Sequence, residues 1–242
     1  MLKTYRDLRN KNDFLPGPTG IFLNQAYLMR RTLAEAIRYE AKGVRGAILD
    51  FGCGARPYET LFDVDEYVGL DIEKSGHPPD GKRADIYYDG KRVPLENSSI
   101  DHVFSAEVFE HVFNAPELFR EIYRVIKPRG TLILTCPFVW PLHEEPYDFA
   151  RYTPYALQSL LIEAGFEKVT MKSCGHPIEA IFQLTLSYVT GHFIPRIPIL
   201  GGALRIFFCG TINLSARVLS RFLPSDGKLY LSNVVVATKA SK

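Results

Sequence analysis

The most constraining feature of this chain is a short apolar run that ends in a pair of glycines. Residues 47–58 are Ala-Ile-Leu-Asp-Phe-Gly-Cys-Gly-Ala-Arg-Pro-Tyr. The run Ala-Ile-Leu is typical of a buried strand in a parallel sheet, and the glycines predict a tight turn after it. Gly52 and Gly54 can take backbone angles closed to other residues and leave room for a ligand against the main chain. Because Pro57 suits the first turn of a helix, the segment predicts a strand, a turn and a helix N-terminus that form a nucleotide-binding crevice.

The glycine spacing distinguishes two kinds of cofactor. A dinucleotide fingerprint needs a third small residue, in the pattern G-x-G-x-x-G/A, and here that position is Pro57. With Asp50 in front, the segment is D-x-G-x-G, which resembles motif I of the class I S-adenosylmethionine-dependent methyltransferases. Arg56 stands where many of them have a third glycine. The resemblance implies a carboxylate that offsets the ammonium of S-adenosylmethionine. The cofactor-binding residues predicted in this motif are Asp50, Gly52, Cys53 and Gly54.

A second acidic residue follows at the end of the next predicted strand. Residues 66–71 read Glu-Tyr-Val-Gly-Leu-Asp, and Asp71 lies 21 positions beyond Asp50, the distance that one strand-helix-strand unit needs. A carboxylate there can accept hydrogen bonds from both ribose hydroxyls, whereas a solvated aspartate is the structural alternative. We therefore expect Asp71 and the adjacent Ile72 to bind the cofactor.

A third stretch of the chain shares the same resemblance. Residues 89–101 are similar to the D-x-x-x-L-P-F-x-D-x-S-F-D segment of the family. The match implies that Asp89 accepts from the adenine amino group and that Gly90 offers its backbone. Asp85 is the rival for this role, and either carboxylate could instead cap a turn. In the family, the end of the fourth strand, predicted over 100–105, lies beside the methyl donor. This adds two cofactor-binding residues, Ser105 and Glu107.

The order of predicted elements favours an α/β fold. Strands and helices are predicted to alternate over 47–136, which indicates a Rossmann-like doubly wound sheet. The resemblance implies that strands one to six are parallel and that a seventh, at 229–238, is antiparallel. Residues 1–43 are predicted to form an N-terminal arm with a covering helix over 21–39. Residues 44–242 are predicted to form the methyltransferase domain.

An insertion rich in Phe, Ile and Leu separates predicted strands six and seven. It covers residues 177–224 and contains two predicted helices, at 180–194 and 206–223. Both are too short, or too interrupted by arginine, for the roughly 20 apolar residues of a bilayer span. Three roles remain open for the insertion. It could form a helical subdomain that packs on the sheet or on the second subunit of a homodimer, a lid over an apolar or lipid-linked acceptor, or a peripheral contact with a membrane surface.

The loop after the fifth strand concentrates polar residues where open α/β sheets bind their ligands. Residues 137–153 resemble the P-x-H-x-x-P-x-D-x-x-R-x-T segment of small-molecule methyltransferases often associated with glycan biosynthesis. His143 or His111 is the predicted catalytic base. Alternatively, the two histidines are structural and an aspartate–arginine ion pair fixes the loop. The predicted substrate-binding residues are Glu144, Tyr147, Asp148 and Arg151.

Composition restricts the partners of the chain. The 29 basic and 27 acidic residues leave a net charge of +2, which gives no electrostatic reason to expect a nucleic acid. The four cysteines lie far apart, as in reduced proteins of the cytoplasm, and the charged N-terminus is unlike a signal peptide. We expect a cytoplasmic protein that could still associate with a membrane through the insertion. Neither a D-x-D cluster nor a His/Cys ligand spacing occurs, so the sequence predicts no metal.

These features together predict methyl transfer from S-adenosylmethionine to a small-molecule or carrier-linked acceptor, with a sugar hydroxyl as the expected target. Two alternatives remain open. One is a nicotinamide-dependent oxidoreductase, which Pro57 disfavours. The other is a methyltransferase-like domain that binds without turnover, which the presence of both glycines and both aspartates disfavours.

Overall fold

The computed structural model describes residues 13–73, 81–194 and 200–241. The strands within these residues are β1 (Ala47–Phe51), β2 (Glu66–Ile72), β3 (Ile86–Tyr88), β4 (Ile100–Ala106), β5 (Ile126–Pro137), β6 (Lys168–Cys174) and β7 (Ser232–Thr238). The α-helices are α1 (Gly20–Leu23), α2 (Tyr27–Glu40), α3 (Ala115–Val125), α4 (Pro154–Ala164), α5 (Pro177–Tyr188) and α6 (Gly201–Leu219). Two 3₁₀ turns, Glu59–Leu61 and Phe109–His111, and a π turn, Val189–Phe193, complete these elements.

The strands form one sheet in the order β3-β2-β1-β4-β5-β7-β6. β1 pairs in parallel with β2, where Asp50 lies opposite Gly69, and with β4, where Asp50 lies opposite Phe104. The seventh strand is antiparallel, so the predicted Rossmann-like fold is confirmed. Because the winding direction reverses between β1 and β4, the carboxyl ends of these strands border the crevice that binds ligands in such sheets.

The helix predicted over 21–39 is divided in two. α1 ends at Leu23, and α2 begins at Tyr27. Between them the Asn24 side chain accepts a hydrogen bond from the amide of Ala26 at 2.8 Å. Such local side-chain bonds compete with helical hydrogen bonds, so the prediction of one continuous helix is wrong at Asn24. Residues 1–12 of the predicted arm lie outside the described residues.

The helix predicted to begin at Pro57 does not form. The connection from β1 to β2 contains only the 3₁₀ turn Glu59–Leu61. Arg56 has a left-handed backbone, with φ of 55°, and directs its side chain against Gly69 of β2. The predicted alternation of strand and helix is therefore wrong at this connection. An α-helix follows β4 and another follows β5, whereas residues 89–99 connect β3 to β4 through turns and coil.

One compact unit comprises residues 37–138, 142–172 and 233–241. Its core lies between the sheet and the apolar face of α3, on which Leu118, Phe119 and Ile122 are buried. The ring of Phe119 stacks on that of Phe109 with centroids 4.0 Å apart. This packing fixes the 3₁₀ turn Phe109–His111, which carries one of the predicted catalytic histidines.

A second compact unit comprises residues 13–36, 139–141, 173–194 and 200–232. The buried amide of Asn213 on α6 donates to the carbonyl oxygen of Ile21 at 2.9 Å, and Gln183 on α5 donates to Gln25 at 2.8 Å. Gly201 and Gly202, predicted to link the two helices, instead begin α6. The intervening prolines, Pro195 and Pro198, lie outside the described residues. Among the helices that the structure describes, none has the length and apolar character needed to cross a bilayer.

Candidate cofactor and acceptor site

The glycine turn after β1 lies at the carboxyl edge of the sheet. Gly52 and Gly54 both have positive φ angles, of 75° and 49°. A Cβ on Gly52 would lie only 2.5 Å from a methyl carbon of Val108, whereas a Cβ on Gly54 would have no atom of residues 13–73, 81–194 or 200–241 within 4 Å. The amides of Gly52 and Cys53 both donate to the carbonyl oxygen of Leu70. The protein therefore uses these two amides itself, and the open approach to the main chain is at Gly54.

Asp50 lies under this turn with its carboxylate buried. Its Oδ2 accepts a hydrogen bond from the hydroxyl of Tyr67 at 2.7 Å. Burial raises the pKa of Asp50 to about 7, and the Tyr67 hydrogen bond and the Arg56 charge only partly oppose this rise. Because the charged form is disfavoured by desolvation, a cation brought next to Asp50 would stabilise the ionised carboxylate.

Asp71, at the end of β2, is held by three donors. The amide of Gly54 donates to its Oδ2 at 2.9 Å, and the amide of Ile72 donates to its Oδ1 at 2.7 Å. The ammonium of Lys82 lies 3.0 Å from the same Oδ1 and also donates to the Ile72 carbonyl oxygen. The Lys82 side chain is only 2% exposed. Sequence analysis did not identify Lys82, because a lone lysine in a turn-rich segment carries no distinguishing pattern.

Asp85 and Asp89, the two candidates for the adenine amino group, differ in their contacts. Asp85 forms an ion pair with Arg56 and accepts a hydrogen bond from the amide of Gly69. Asp89 is exposed, and its Oδ1 accepts from the amides of Lys91 and Arg92. These backbone hydrogen bonds hold the pKa of Asp89 below its usual value. Asp85 therefore connects β2 to the glycine turn, whereas Asp89 shapes the loop after β3.

Gly90 continues this loop with a positive φ of 78°. Its carbonyl oxygen accepts a hydrogen bond from the side chain of Asn114 at 3.3 Å. Asn114 is the residue before α3, so this contact fixes the loop to the helix that follows β4. The Asn114 side chain therefore helps to hold the Gly90 backbone in place.

Three further predicted cofactor-binding residues are Cys53, Ser105 and Glu107, and the first two have buried side chains. Ser105 is fully buried and donates to the carbonyl oxygen of Phe51 at 2.9 Å, which joins β4 to β1. Burial also raises the pKa of the Cys53 thiol to about 12, so it stays protonated. Glu107 follows β4 with a left-handed backbone, φ of 54°, and its amide donates to Thr135. Ser105 and Cys53 are thus buried. Of the three residues, Glu107 is the one whose backbone forms the turn at the carboxyl end of β4.

The two predicted catalytic histidines are in direct contact. Nε2 of His111 lies 3.1 Å from Nε2 of His143. Nδ1 of His111 donates to the carbonyl oxygen of Tyr147 at 2.8 Å, and Nδ1 of His143 lies 3.2 Å from a carboxylate oxygen of Asp148. Burial, followed by the neighbouring His111, lowers the pKa of His143. The structure thus brings together two residues 32 positions apart, and the lowered pKa of His143 favours the neutral imidazole that a base requires.

A buried carboxylate that sequence analysis missed lies beside this pair. Oε1 of Glu110 is 3.8 Å from Nε2 of His111 and 4.0 Å from Nε2 of His143. The Glu110 side chain is fully buried, and burial raises its pKa well above the usual value. The signal available in the sequence was the adjacent pair Glu110-His111, since a charged residue inside an apolar segment needs a partner.

The remaining predicted substrate residues lie in the loop after β5. Arg151 forms a two-pronged ion pair with Asp148, with N–O distances of 2.5 and 2.8 Å. Burial would raise the pKa of Asp148, but hydrogen bonds from Arg151 and the His143 amide lower it to about 2. This is the loop-fixing pair that the sequence left open as an alternative. Glu144 has its Oε1 3.7 Å from Nε2 of His111, and the Tyr147 ring is 48% exposed.

A family match agrees with this arrangement of strands and residues. Residues 49–134 match the family described as "Methyltransferase domain". Over these residues the chain is similar to the class I S-adenosylmethionine-dependent methyltransferases. The matched region extends from β1 to β5. It therefore contains the glycine turn, Asp71 and the Glu110-His111 pair, but not His143.

Two curated relatives resemble parts of this chain. Phosphoethanolamine N-methyltransferase 3 of Arabidopsis thaliana is 27% identical over 143 residues, which are 50% of this chain and 29% of that protein. A probable S-adenosylmethionine-dependent methyltransferase of Mycobacterium tuberculosis is 33% identical over 89 residues, which are 34% of this chain and 32% of that protein. The chain thus spans about a third of the length of the curated relatives it matches.

A solved structure shares the fold of this chain. It is phosphoethanolamine N-methyltransferase 2 of Haemonchus contortus in complex with S-adenosyl-L-methionine, with a TM-score of 0.55 and 17% identity. The likeness covers 95% of this chain and 59% of that one. At this identity the comparison supports the fold and leaves the acceptor undefined.

Proposed function

We propose that this chain transfers the methyl group of S-adenosylmethionine to a hydroxyl of a small-molecule or carrier-linked acceptor, such as a sugar. One observation carries the proposal. Gly54 and Asp71 follow the carboxyl ends of adjacent parallel strands, and the amide nitrogen of Gly54 lies 2.9 Å from Oδ2 of Asp71. Among the described residues, no atom fills the space beside the Gly54 Cα, so a ligand can approach there. A Cβ at position 54 would fill this space, and the Asp71 carboxylate beside it can accept hydrogen bonds from the hydroxyls of a ribose.

Each cofactor residue has a distinct proposed role. Asp71 accepts hydrogen bonds from the ribose hydroxyls, and Asp50 faces the ammonium of the cofactor. Asp89 accepts a hydrogen bond from the adenine amino group, because Asp85 already forms an ion pair with Arg56 and accepts from the amide of Gly69. Charge-assisted hydrogen bonds of this kind contribute about 1.5–3 kcal/mol each.

The acceptor is proposed to bind near the contacting histidines. Val108 packs against Gly52, and the 3₁₀ turn Phe109–His111 follows at once, so the chain leads directly from the glycine turn to His111. A sulfonium methyl is already activated, and the protein mainly aligns the acceptor oxygen with the carbon–sulfur bond. A neutral imidazole of His111 or His143 would remove the hydroxyl proton. Glu144, Tyr147 and the Asp148–Arg151 pair would orient the acceptor.

The acceptor class is the part of the proposal that most needs an experiment. Release of S-adenosylhomocysteine should be measured with sugar nucleotides, lipid-linked extracts, quinone-like extracts and phosphoethanolamine, the last because two of the similar proteins are named for it. We expect turnover with a hydroxyl acceptor and a loss of roughly 10²-fold or more in His143→Ala or His111→Ala. Normal turnover in both variants would refute the base, and turnover with phosphoethanolamine alone would refute the hydroxyl.

Cofactor binding is tested separately from turnover. Calorimetry should give a heat of binding for S-adenosylmethionine and none for NAD. The absence of heat with S-adenosylmethionine, in folded protein, would refute the proposed cofactor, and preference for NAD would favour an oxidoreductase. Binding of S-adenosylmethionine without turnover on any acceptor would favour the non-catalytic alternative.

The helical insertion is proposed to act in acceptor selection or assembly. α5 and α6 expose large apolar side chains, which include Ile181, Leu184, Ile206 and Phe207. Such side chains fit a second subunit, a lid or a membrane surface. Light scattering of the purified chain tests for a dimer, and co-sedimentation with anionic vesicles tests for membrane contact.

A further inference from the structure

The oxygen atoms next to the two contacting histidines favour one arrangement of protons on the ring nitrogens. Nδ1 of His111 faces the carbonyl oxygen of Tyr147 at 2.8 Å, and a carbonyl can only accept. Nδ1 of His143 lies 3.2 Å from the Asp148 carboxylate, and this charge favours a proton on Nδ1 although the two atoms are not aligned for a hydrogen bond. In a neutral imidazole the other nitrogen then has a lone pair. With a proton on each Nδ1, both Nε2 atoms are electron-pair donors, and they lie 3.1 Å apart.

Two facing lone pairs at this distance repel unless something positive lies between them. The adjacent Glu110 carboxylate adds a third donor of the same kind. Its Oε1 is fully buried and, in the part of the chain that the structure describes, accepts no hydrogen bond. A buried carboxylate oxygen without a partner is costly in free energy. A single cation would satisfy all three atoms at once.

The spacing of the three atoms suits a metal ion. Their separations of 3.1, 3.8 and 4.0 Å define a triangle whose circumscribed circle has a radius of about 2.1 Å. Zn²⁺ binds histidine nitrogen at about 2.0–2.1 Å and carboxylate oxygen at about 2.0–2.2 Å. A single point in the plane of the three atoms is therefore at bonding distance from all of them.

We propose that Glu110, His111 and His143 bind a divalent transition-metal ion, with Zn²⁺ the best fit. Two histidines and one carboxylate that leave further positions open are a known arrangement for catalytic zinc and for non-haem iron. The surroundings also fit, because Nδ1 of each histidine faces an oxygen that would orient the ring. Glu144, with its Oε1 3.7 Å from Nε2 of His111, is near enough to bind the ion directly or through water.

Metal binding itself does not depend on the proposed function, but the role of the metal rests on it. Binding to the ion would lower the pKa of an acceptor hydroxyl, so the hydroxyl would lose its proton to solvent at a lower pH than the free acceptor does. The oxygen would then form a bond to the methyl carbon as the bond from that carbon to sulfur breaks. The metal would thus replace the free histidine base, and the chemical class of acceptor would be a hydroxyl near a second oxygen donor.

The test begins with the metal alone. Chelator-treated protein should be titrated with Zn²⁺ by calorimetry and with Co²⁺ by visible absorption. We expect one equivalent per chain, a d–d spectrum of a nitrogen- and oxygen-ligated ion, and a higher melting temperature with Zn²⁺. In Glu110→Gln the affinity should fall by more than tenfold, and His192→Gln, outside the cluster, should bind as the wild type does.

The outcomes separate this inference from the proposed function. Failure of the folded wild type to bind Zn²⁺ or Co²⁺ would overturn the site, and so would unchanged affinity in Glu110→Gln. A proton shared between the rings would then account for their contact. If Glu110→Gln does not fold, His143→Ala, a more exposed position, gives the same test. Calorimetry with S-adenosylmethionine on the metal-free protein tests the cofactor site independently.

Discussion

The carboxylate of Asp71 and the ammonium of Lys82 lie 3.0 Å apart, and both side chains are almost completely buried. The residue proposed to bind the ribose therefore already has a cation as a partner. Removal of one member of a buried ion pair leaves an uncompensated charge and costs about 3–5 kcal/mol. Any test of Asp71 must take account of this loss of stability.

We predict that the double variant Asp71→Asn/Lys82→Met stays folded but binds S-adenosylhomocysteine at least about tenfold more weakly. It removes both buried charges at once, so the loss of affinity reports on the ribose contact. Calorimetry measures the affinity, and Asp63→Asn, at an exposed aspartate, is the control. Wild-type affinity in the double variant would contradict the ribose role.

The two glycines of the turn should respond differently to alanine. Gly52→Ala would bring a Cβ within 2.5 Å of Val108 at a φ of 75°, so we predict a lower melting temperature and a loss of binding. No atom of the described residues lies within 4 Å of the Cβ that Gly54→Ala would add, and its backbone strain costs about 1 kcal/mol. We therefore expect Gly54→Ala to fold and yet bind the cofactor poorly. Thermal melts combined with calorimetry distinguish the two effects.

The raised pKa of Asp50 predicts that the free energy of unfolding depends on pH. Its folded pKa of about 7 lies above the usual 3.8, so the unfolded chain loses this proton first as pH rises. Stability should fall, on the order of 4 kcal/mol, from about pH 4 to about pH 7, and Asp50→Asn should remove this component. Denaturant unfolding at a series of pH values measures it.

The same carboxyl should link cofactor affinity to pH. The ammonium of the cofactor favours ionised Asp50, so affinity should rise with pH up to about 7 and binding should release a proton. Tyr67→Phe removes a hydrogen bond that lowers this pKa and should shift the rise to higher pH. An affinity that does not change across this interval would exclude contact between Asp50 and the ammonium.

The Asp148–Arg151 ion pair in the loop after β5 should stabilise the fold. Asp148 is 2% exposed, so Arg151→Met leaves a buried carboxylate and should cost about 3 kcal/mol or more. The pKa of Asp148, lowered to about 2, means that this stabilisation is present above pH 4 and is lost below it. Arg120→Met breaks the exposed pair with Glu163 and should change stability by less than about 1 kcal/mol. Equal effects of the two substitutions would contradict a stabilising role for the buried pair.

Much of the sheet could be predicted because its signals are local. Apolar runs ending in Gly52 and Asp71 identify β1 and β2, and the distance between Asp50 and Asp71 predicts that the two strands are neighbours. The missing helix at Pro57 could not be predicted in this way. It depends on the Arg56 side chain, which packs against a residue of another strand. A tertiary contact of this kind overrides local helix propensity.

The site was predictable in part for a related reason. His111 and His143 could be assigned to one sheet edge, since both follow the carboxyl ends of strands. Their contact through Nε2 depends on the loop after β5, in which Asp148 and the Tyr147 carbonyl hold the rings. Glu110 was missed because its neighbours Val108 and Phe109 give the segment an apolar character. A carboxylate beside a histidine in such a segment was the usable signal.

The guanidinium of Arg56 also has a consequence for how this chain can diverge. It lies so close to Gly69 that a Cβ there would be 2.6 Å from its Nε. The two positions therefore share one volume, which either of them can fill but both cannot. A small residue at 56 would make room for a side chain at 69, so the first connection and the second strand must change sequence in concert.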